Sequence, residues 1–188
     1  MPTDYRKAIE KEITDIISRS DVPEDFPHAR NVKEWVLRLK PDADWPLQVA
    51  ALGHDIERAL PERKVRRFQF SAFRDFKRAH AQNSARIVRE ILDKYPLEEK
   101  IKEKIIFLIQ NHECSQNQDS DLAVLKDADS LSFFEVNLPL YSQRHDESEV
   151  LFRMRWGYQR LSREAREIVK NFHYRSRNLN RLLKKITA

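Results

Sequence analysis

The sequence predicts an all-α fold, a compact bundle of several helices. Glycine occurs only twice in 188 residues, whereas folds built from strands and tight turns normally need more of it. Charged residues form 35% of the chain and hydrophobic residues 40%, a mixture typical of amphipathic helices with solvated outer faces. A chain of this length suits one domain, so we expect a single helical unit over residues 1–188.

Apolar residues recur at helical spacing along most of the chain. We expect helices over residues 5–19, 28–40, 46–55, 71–95, 97–112, 122–136, 149–161, 162–174 and 178–186. The second helix should end before Pro41, because a residue that precedes proline is pushed out of the helical region. Pro46 suits the first turn of the third helix, which should continue through Asp55 and reach Arg58 at its furthest.

Turn and cap residues divide the rest of the chain. Residues 61–70 are expected to form a loop rich in arginine and lysine. Pro96 should break the long helical stretch before it. Asp121 is a good N-cap for the helix that Pro139 ends or kinks. Ser162 opens the next-to-last helix with an imperfect capping-box pattern.

Charge is distributed unevenly along the chain. The formal net charge is +5, but residues 151–188 hold eleven Lys or Arg against two Glu, a local net charge of +9. A basic helical part over about 149–188 could contact nucleic acid or an acidic partner, although such a face is more often simply solvated. Nucleic-acid binding is therefore the weaker expectation.

The sequence also indicates a cytoplasmic protein. Cys114 is the only cysteine, so no intramolecular disulfide can form, as is usual in a reducing compartment. Residues 1–12 are charged and lack the apolar core of a signal peptide. The longest apolar run, residues 105–109, is too short to span a bilayer, so we expect no membrane partner.

Four histidines and one aspartate lie on helix faces that should be buried. Side chains three, four and seven positions apart share a face, because each residue turns the helix by about 100°. By this test the inward-facing residues are His28, His54, His80, His112 and Asp129. Asp127 lies on the opposite face of its helix. A single inward histidine is usually a hydrogen-bonded core residue, but a buried carboxylate needs a partner or a metal ion.

The combined set of imidazoles and carboxylates predicts a metal centre, because these ligands together suit Mn, Fe, Co, Ni or Zn. His145 and His173 do not belong to this set. His145 precedes Asp146 and so repeats the His54-Asp55 dipeptide, but no apolar stripe continues past it. We therefore expect His145 in a loop and His173 at the surface.

Three short sequence elements carry a family resemblance. They are Pro27-His28-Ala29-Arg30-Asn31-Val32, Ala51-Leu52-Gly53-His54-Asp55-Ile56-Glu57 and Lys126-Asp127-Ala128-Asp129-Ser130-Leu131. In this order they resemble the H…HD…D signature of the HD-domain superfamily of metal-dependent phosphohydrolases, over about residues 26–135. The resemblance implies a helical bundle of the HD-domain type, with the basic C-terminal helices packed on it.

The resemblance also implies the ligands of the metal ion. His28, His54, Asp55 and Asp129 would bind one divalent ion, such as Mn, Fe, Co, Ni, Zn or Mg. His80 and His112 occupy the places where members with two metal ions have further histidines, so the resemblance also allows a site with two ions. Some members carry a catalytic acidic residue four positions after the histidine of the pair. Here Glu57, three positions after His54, is the candidate for this catalytic role, although Arg58 takes the fourth place.

The resemblance implies hydrolysis of a phosphate ester or anhydride in a small nucleotide-like substrate. A divalent ion lowers the pKa of bound water from about 15.7 towards 7 and polarises a phosphoryl oxygen. Asp55 would ligate the ion and orient the attacking water. Cationic side chains would stabilise charge on the phosphoryl group, and the candidates are Arg58, Arg63, Lys64, Arg66, Arg67 and Lys77.

Two other functions fit the same residues. A di-iron oxygenase could use the same ligand set, but it would need both metal ions. A non-catalytic module could keep the ion for stability and bind nucleic acid or a protein partner through the basic C-terminal part. Nothing in the sequence selects the substrate or the oligomeric state.

Overall fold

The computed structural model describes residues 3–113 and 119–188, with side chains from residue 5 onward. Within these ranges the chain is helical and contains no strand, which confirms the predicted all-α class. The α-helices are α1 (Thr3–Ile17), α2 (Asp25–Leu39), α3 (Trp45–Gly53), α4 (Phe73–Leu92), α5 (Glu99–Asn111), α6 (Ser120–Ser132), α7 (Leu138–Arg144), α8 (Glu147–Arg160), α9 (Arg163–Lys170) and α10 (Arg177–Thr187). Cys114 lies outside the described residues.

The hydrophobic core is organised around α3, the most apolar helix. All but two of its nine residues, Pro46 and Gln48, are buried. It contacts α1, α2, α4, α5 and α6. Gly53 ends the helix where a Cβ atom would come within 2.8 Å of Val88 Cγ2 on α4. Only glycine therefore allows α4 to approach the C-terminal end of α3 this closely.

The end of α3 differs from the sequence prediction. The α-helix stops at Gly53, and a short 3₁₀ helix, Ile56–Ala59, follows. Asp55 adopts φ −111° and ψ 13°, outside the α-helical region. The predicted continuation of the α-helix through Asp55 towards Arg58 is therefore wrong. The tighter turn re-aims the side chains that follow His54.

Two other predicted boundaries also differ. The second helix begins at Asp25 rather than at His28, because Pro27 fits within its first turn. Asp121 is not the N-cap of α6; Asp119 is, and its side chain accepts a hydrogen bond from Leu122 N at 2.9 Å. Asp121 instead pairs with Lys40 and Lys104, which ties α6 to α2 and α5.

A π-helical turn, Phe133–Asn137, connects α6 to α7. The chain was expected to end or kink its helix at Pro139, and Pro139 instead lies in the first turn of α7. π-helical turns change the direction of side chains within a helix and are frequent at functional sites. Here the turn directs Phe133 and Asn137 into a cleft beside α8.

The C-terminal helices complete the same core. Buried apolar residues of α8, α9 and α10 belong to one hydrophobic cluster that extends back to α1. Helices α8 and α9 contact α6, and α10 packs on α8 and α9. Across 3–113 and 119–188, no helix is long and apolar enough to cross a bilayer.

Candidate metal centre

The first ligand group joins three helices at the end of α3. His28 of α2, His54 after α3 and Asp129 of α6 bring one ligand atom each within 4.8 Å of one another. His28 Nε2 lies 3.2 Å from His54 Nε2. Asp129 Oδ1 lies 3.3 Å from His28 Nε2 and 3.5 Å from His54 Nε2. The side chains are almost fully buried, with exposed fractions of 4%, 0% and 10%.

Hydrogen bonds fix which nitrogen of each imidazole faces this group. His54 Nδ1 lies 2.9 Å from the backbone oxygen of Ala51 and must donate to it, since a carbonyl oxygen only accepts. His28 Nδ1 lies 2.8 Å from Ser132 Oγ, whose hydroxyl can donate to the backbone oxygen of His28. With a proton on each Nδ1, the two Nε2 atoms present lone pairs to each other and to Asp129. A cation or a proton must lie between these three acceptors.

The second ligand group lies on the other side of the His54-Asp55 pair. It consists of Asp55, His80 of α4, and His112 and Glu113 at the end of α5, again within 4.8 Å. His112 Nδ1 donates to the backbone oxygen of Ile109 at 2.7 Å, so its Nε2 carries the lone pair. That Nε2 atom is buried and has no hydrogen-bond partner among the described residues. An orphaned acceptor beside two carboxylates is the environment of a metal ligand.

Asp55 connects the two groups. Its Oδ1 atom lies 2.6 Å from His80 Nε2, 3.6 Å from His54 Nε2 and 4.0 Å from His112 Nε2. Its side chain is 15% exposed, whereas those of His54 and His112 are completely buried. Asp55 is thus the residue of the cluster that both groups share and that solvent reaches most easily.

The charges of the cluster shift the pKa of several groups. Burial lowers the pKa of His54, but the charges of Asp55 and Asp129 outweigh burial and raise it to about 9. Burial raises the pKa of Asp129, yet the nearby Arg160 guanidinium and the two histidines hold it well below its usual range. Burial lowers the pKa of His112. Asp129 is therefore ionised and His112 is neutral, as metal binding requires, whereas His54 holds a proton at neutral pH that a metal ion would displace.

Two buried cations contact the ligand groups directly. Lys77 pairs with Glu113. Arg160 Nη1 lies 3.0 Å from Asp129 Oδ2 and 3.3 Å from Glu113 Oε2, and its Nη2 donates to the backbone oxygen of His112 at 2.8 Å. Arg160 comes from α8, in the basic C-terminal part of the chain. This arginine therefore links α8 to α5 and α6 at the site.

Glu57 contacts a residue of the second ligand group, His80, from outside the cleft. Its Oε1 atom accepts a hydrogen bond from His80 Nδ1 at 2.6 Å, and its Oε2 atom accepts from Val65 N and Asn83 Nδ2. The side chain is 1% exposed and does not line the cleft. Glu57 was predicted as a catalytic residue, but the structure places it as the residue that orients His80.

The six predicted substrate-binding cations fall into two sets. Arg58 and Lys77 line the cleft. Arg58 reaches it from the 3₁₀ helix and pairs with Asp25 at 2.8 Å. The loop residues do not line the cleft: Arg63 pairs with Glu90, while Arg66 and Arg67 donate to backbone oxygens of the loop itself, and Lys64 is likewise outside the cleft.

The cleft opens above the ligand groups and encloses an empty volume of about 600 Å³, part of it continuous with solvent. His28, Asp55 and Asp129 line one side of it, and α8 lines another with Arg153, Trp156, Gly157 and Arg160. Sequence patterns did not identify these α8 residues or Glu113 as part of the site. Residues 153, 156, 157 and 160 are spaced three and four apart, and this spacing could have shown that they share one face of α8.

Residues that the sequence analysis set aside lie away from the cleft. His145 is exposed at the end of α7 and stacks on Tyr141 with ring centroids 3.9 Å apart, and His173 is exposed, as predicted. Asp127 points away from the ligand groups, as its helix face predicts. It is nevertheless buried, because Ser162 N at the start of α9 donates to it at 2.8 Å.

Comparisons with known proteins place the chain in a family without an assigned activity. A family model described as a domain of unknown function, DUF4202, matches residues 6–182. The match includes every residue of the two ligand groups and the whole of α8. No curated protein and no solved structure matches the chain.

Proposed function

The chain belongs to the DUF4202 family, and we propose that it is a metal-dependent phosphohydrolase whose ligands follow the pattern of the HD-domain superfamily. The observation that carries the proposal is the convergence of lone pairs from His28, His54 and Asp129 at distances of 3.2 to 3.5 Å. A proton satisfies these acceptors while no metal ion is bound, since the pKa of His54 is raised to about 9, and a divalent cation that replaces this proton would be bound by all three. With a single cysteine in the chain, we place the activity in the cytoplasm.

The residues of the first group would hold one ion together with Asp55. A second ion would be held by His80, His112 and Glu113, with Asp55 shared between the two. A bound divalent ion supplies a Lewis acid and a water of lowered pKa. Asp55 would hold the ion and orient the attacking water, because its carboxylate lies between the two groups and its side chain is 15% exposed.

Cations around the cleft favour a phosphorylated substrate. Lys77 and Arg160 lie beside the ligand groups, and Arg58 and Arg153 line the same cleft. Guanidinium and ammonium groups stabilise the negative charge that spreads over a phosphoryl group during transfer. The two ligand groups alone would also suit a di-iron oxygenase. A substrate of an oxygenase does not require four cations, so phosphoryl transfer is the better fit.

The proposal is tested by phosphate release from a panel of phosphorylated metabolites. The protein is stripped with a chelator and then supplied with Mn²⁺, Co²⁺, Zn²⁺ or Mg²⁺ in separate reactions. We expect hydrolysis only with added metal. Asp129→Asn should abolish the hydrolysis, whereas the matched variant Asp127→Asn should retain it, because Asp127 only receives Ser162 N. Equal activity of the two variants, or oxygen consumption by the iron-loaded protein in place of phosphate release, would refute the proposal.

A further inference from the structure

One cation of the cleft differs from the other three in its surroundings. Arg58, Lys77 and Arg160 each pair with a carboxylate. Of the part of the chain that the structure describes, no carboxylate pairs with Arg153. Glu149, one turn earlier on α8, instead accepts a hydrogen bond from Tyr141 at 2.7 Å. The positive charge of Arg153 is therefore not neutralised by a carboxylate of the described residues.

Aromatic rings from three separate elements hold this guanidinium. Its Cζ atom lies 5.0 Å from the ring centroid of Phe73, 5.7 Å from that of Tyr141 and 5.9 Å from that of Phe133. Rings stack on the planar faces of a guanidinium and leave the N–H groups at its edge free to donate. Arg153 is thus fixed in position, and its planar fork suits a bidentate anion.

Two other residues that line the same cleft as Arg153 carry buried polar atoms without partners among the described residues. Trp156 Nε1 is buried with no hydrogen-bond partner among the described residues, and the same is true of Asn137 Oδ1. Both residues line the cleft. Buried polar groups are normally hydrogen-bonded, and an unsatisfied group is unfavourable by about 1–3 kcal/mol. A polar ligand would satisfy them.

We propose that Arg153 determines specificity by binding a second anionic group of the substrate, distant from the phosphoryl group at the metal centre. The substrate class is a small phosphate ester that carries another phosphate or a carboxylate. The inference rests on the proposed function, since it assumes that the first phosphoryl group lies at His28, Asp55 and Asp129. Trp156 and Asn137 would contact the polar part of the substrate between the two anions.

A structural role for Arg153 makes a different prediction. If the arginine only joined α8 to the aromatic rings, its loss would lower stability and weaken all ligands alike. If it binds a second anion, its loss would weaken only ligands that carry one. The two roles are separated by a pair of ligands that differ in a single anionic group.

Propane-1,3-bisphosphonate and propylphosphonate form such a pair, and neither can be hydrolysed. Each is titrated calorimetrically into the Mn²⁺-supplemented wild-type protein and into Arg153→Ala, Arg153→Lys and Arg155→Ala. Arg155 is the matched control, because it lies on the same helix but is exposed to solvent. Melting curves verify that each variant is folded.

We expect the wild-type protein and Arg155→Ala to bind the bisphosphonate about tenfold to a hundredfold more tightly than propylphosphonate. This ratio of affinities corresponds to the free energy of one hydrogen bond to a charged group. Arg153→Ala should lose this preference while it retains its affinity for propylphosphonate. Arg153→Lys should recover part of the preference.

Equal affinity of the wild-type protein for the two ligands, no binding of either, or equal losses for both in Arg153→Ala would overturn the inference. The proposed function is judged separately, by phosphate release from esters. A protein that hydrolyses phosphate esters but shows no preference for the bisphosphonate would therefore refute only the role of Arg153.

Discussion

The chain contains two His-Asp dipeptides in opposite environments. His54 and Asp55 lie at the buried end of α3, where α2, α4, α6 and the end of α5 supply histidines and carboxylates. His145 and Asp146 lie at the surface between α7 and α8. There the histidine stacks on Tyr141, and the aspartate caps α8 by accepting a hydrogen bond from Glu149 N at 3.0 Å. The same two residue types thus form part of a ligand cluster in one place and a helix cap in the other.

The difference shows that the surroundings determine the role of the dipeptide. A buried, ionised carboxylate such as that of Asp55 is unfavourable unless a cation lies near it. Burial raises the pKa of Asp55, but the charges of His54, His80 and Lys77 hold it well below the usual range. Asp146 is exposed to water, so it needs no such partner. Variants of the two pairs should therefore have effects of very different size and kind.

The largest expected effect is the loss of catalysis when the buried histidine, His54, is replaced. His54→Gln should reduce metal-dependent phosphate release by more than about a hundredfold, because the loss of a group that merely supports a ligand already reduces activity by 10- to 100-fold. His145→Gln should remain within about twofold of the wild-type protein, since its ring is exposed, stacks on Tyr141 and belongs to neither ligand group. Steady-state assays at saturating metal measure both. Similar losses in the two variants would show that the buried pair has no special role.

A smaller effect is expected from the residue that orients His80. Glu57→Gln preserves the shape of the side chain but removes the charge that accepts from His80 Nδ1. Activity or metal affinity should fall by about 10- to 100-fold, as it does when other residues that hydrogen-bond to a metal ligand are replaced. The control is Glu90→Gln, whose carboxylate pairs with Arg63 at the surface and should leave activity unchanged. An unaffected Glu57→Gln would mean that His80 is not a ligand.

The smallest effect is expected on stability at the exposed pair. Asp146→Ala removes the N-cap of α8 and should lower the melting temperature by about 2–4 °C without a change in metal content. Hydrogen bonds from Ser148 and Glu149 lower the pKa of Asp146. The stabilisation should therefore be complete above the ordinary carboxyl pKa and disappear as the pH falls through the lowered value. If the difference in melting temperature between Asp146→Ala and the wild-type protein grew as the pH fell, the result would contradict this role.

Much of the fold could be predicted because it depends on local patterns. Helical periodicity located the described α-helices to within a few residues except α7, which was not predicted, and the burial of four histidines and Asp129 followed from their helix faces. The exceptions arose where local alternatives compete. Asp119 and Asp121 are both suitable N-caps two residues apart, and periodicity cannot show that α3 changes to a 3₁₀ helix after Gly53.

The parts of the site that sequence patterns missed depend on tertiary contacts. Arg160 follows no local motif, and only the packing of α8 on α6 brings it to Asp129. Glu113 lies just beyond the predicted helix 97–112, and its buried position depends on Lys77 and Arg160 from two other helices. Conversely, Arg63 stood near His54-Asp55 in the sequence, but Glu90 holds it at the surface. Proximity along the chain was a poor guide to which cations line the cleft.

The most direct test of a metal centre at the buried pair is the metal content of purified protein. Inductively coupled plasma mass spectrometry of the wild-type protein, Asp55→Ala and Asp146→Ala would measure the ratio of divalent metal to chain. We expect one or two ions per chain in the wild-type protein and in Asp146→Ala, and a clear loss in Asp55→Ala, because both ligand groups share Asp55. Full retention of metal by a folded Asp55→Ala variant would contradict the proposed centre.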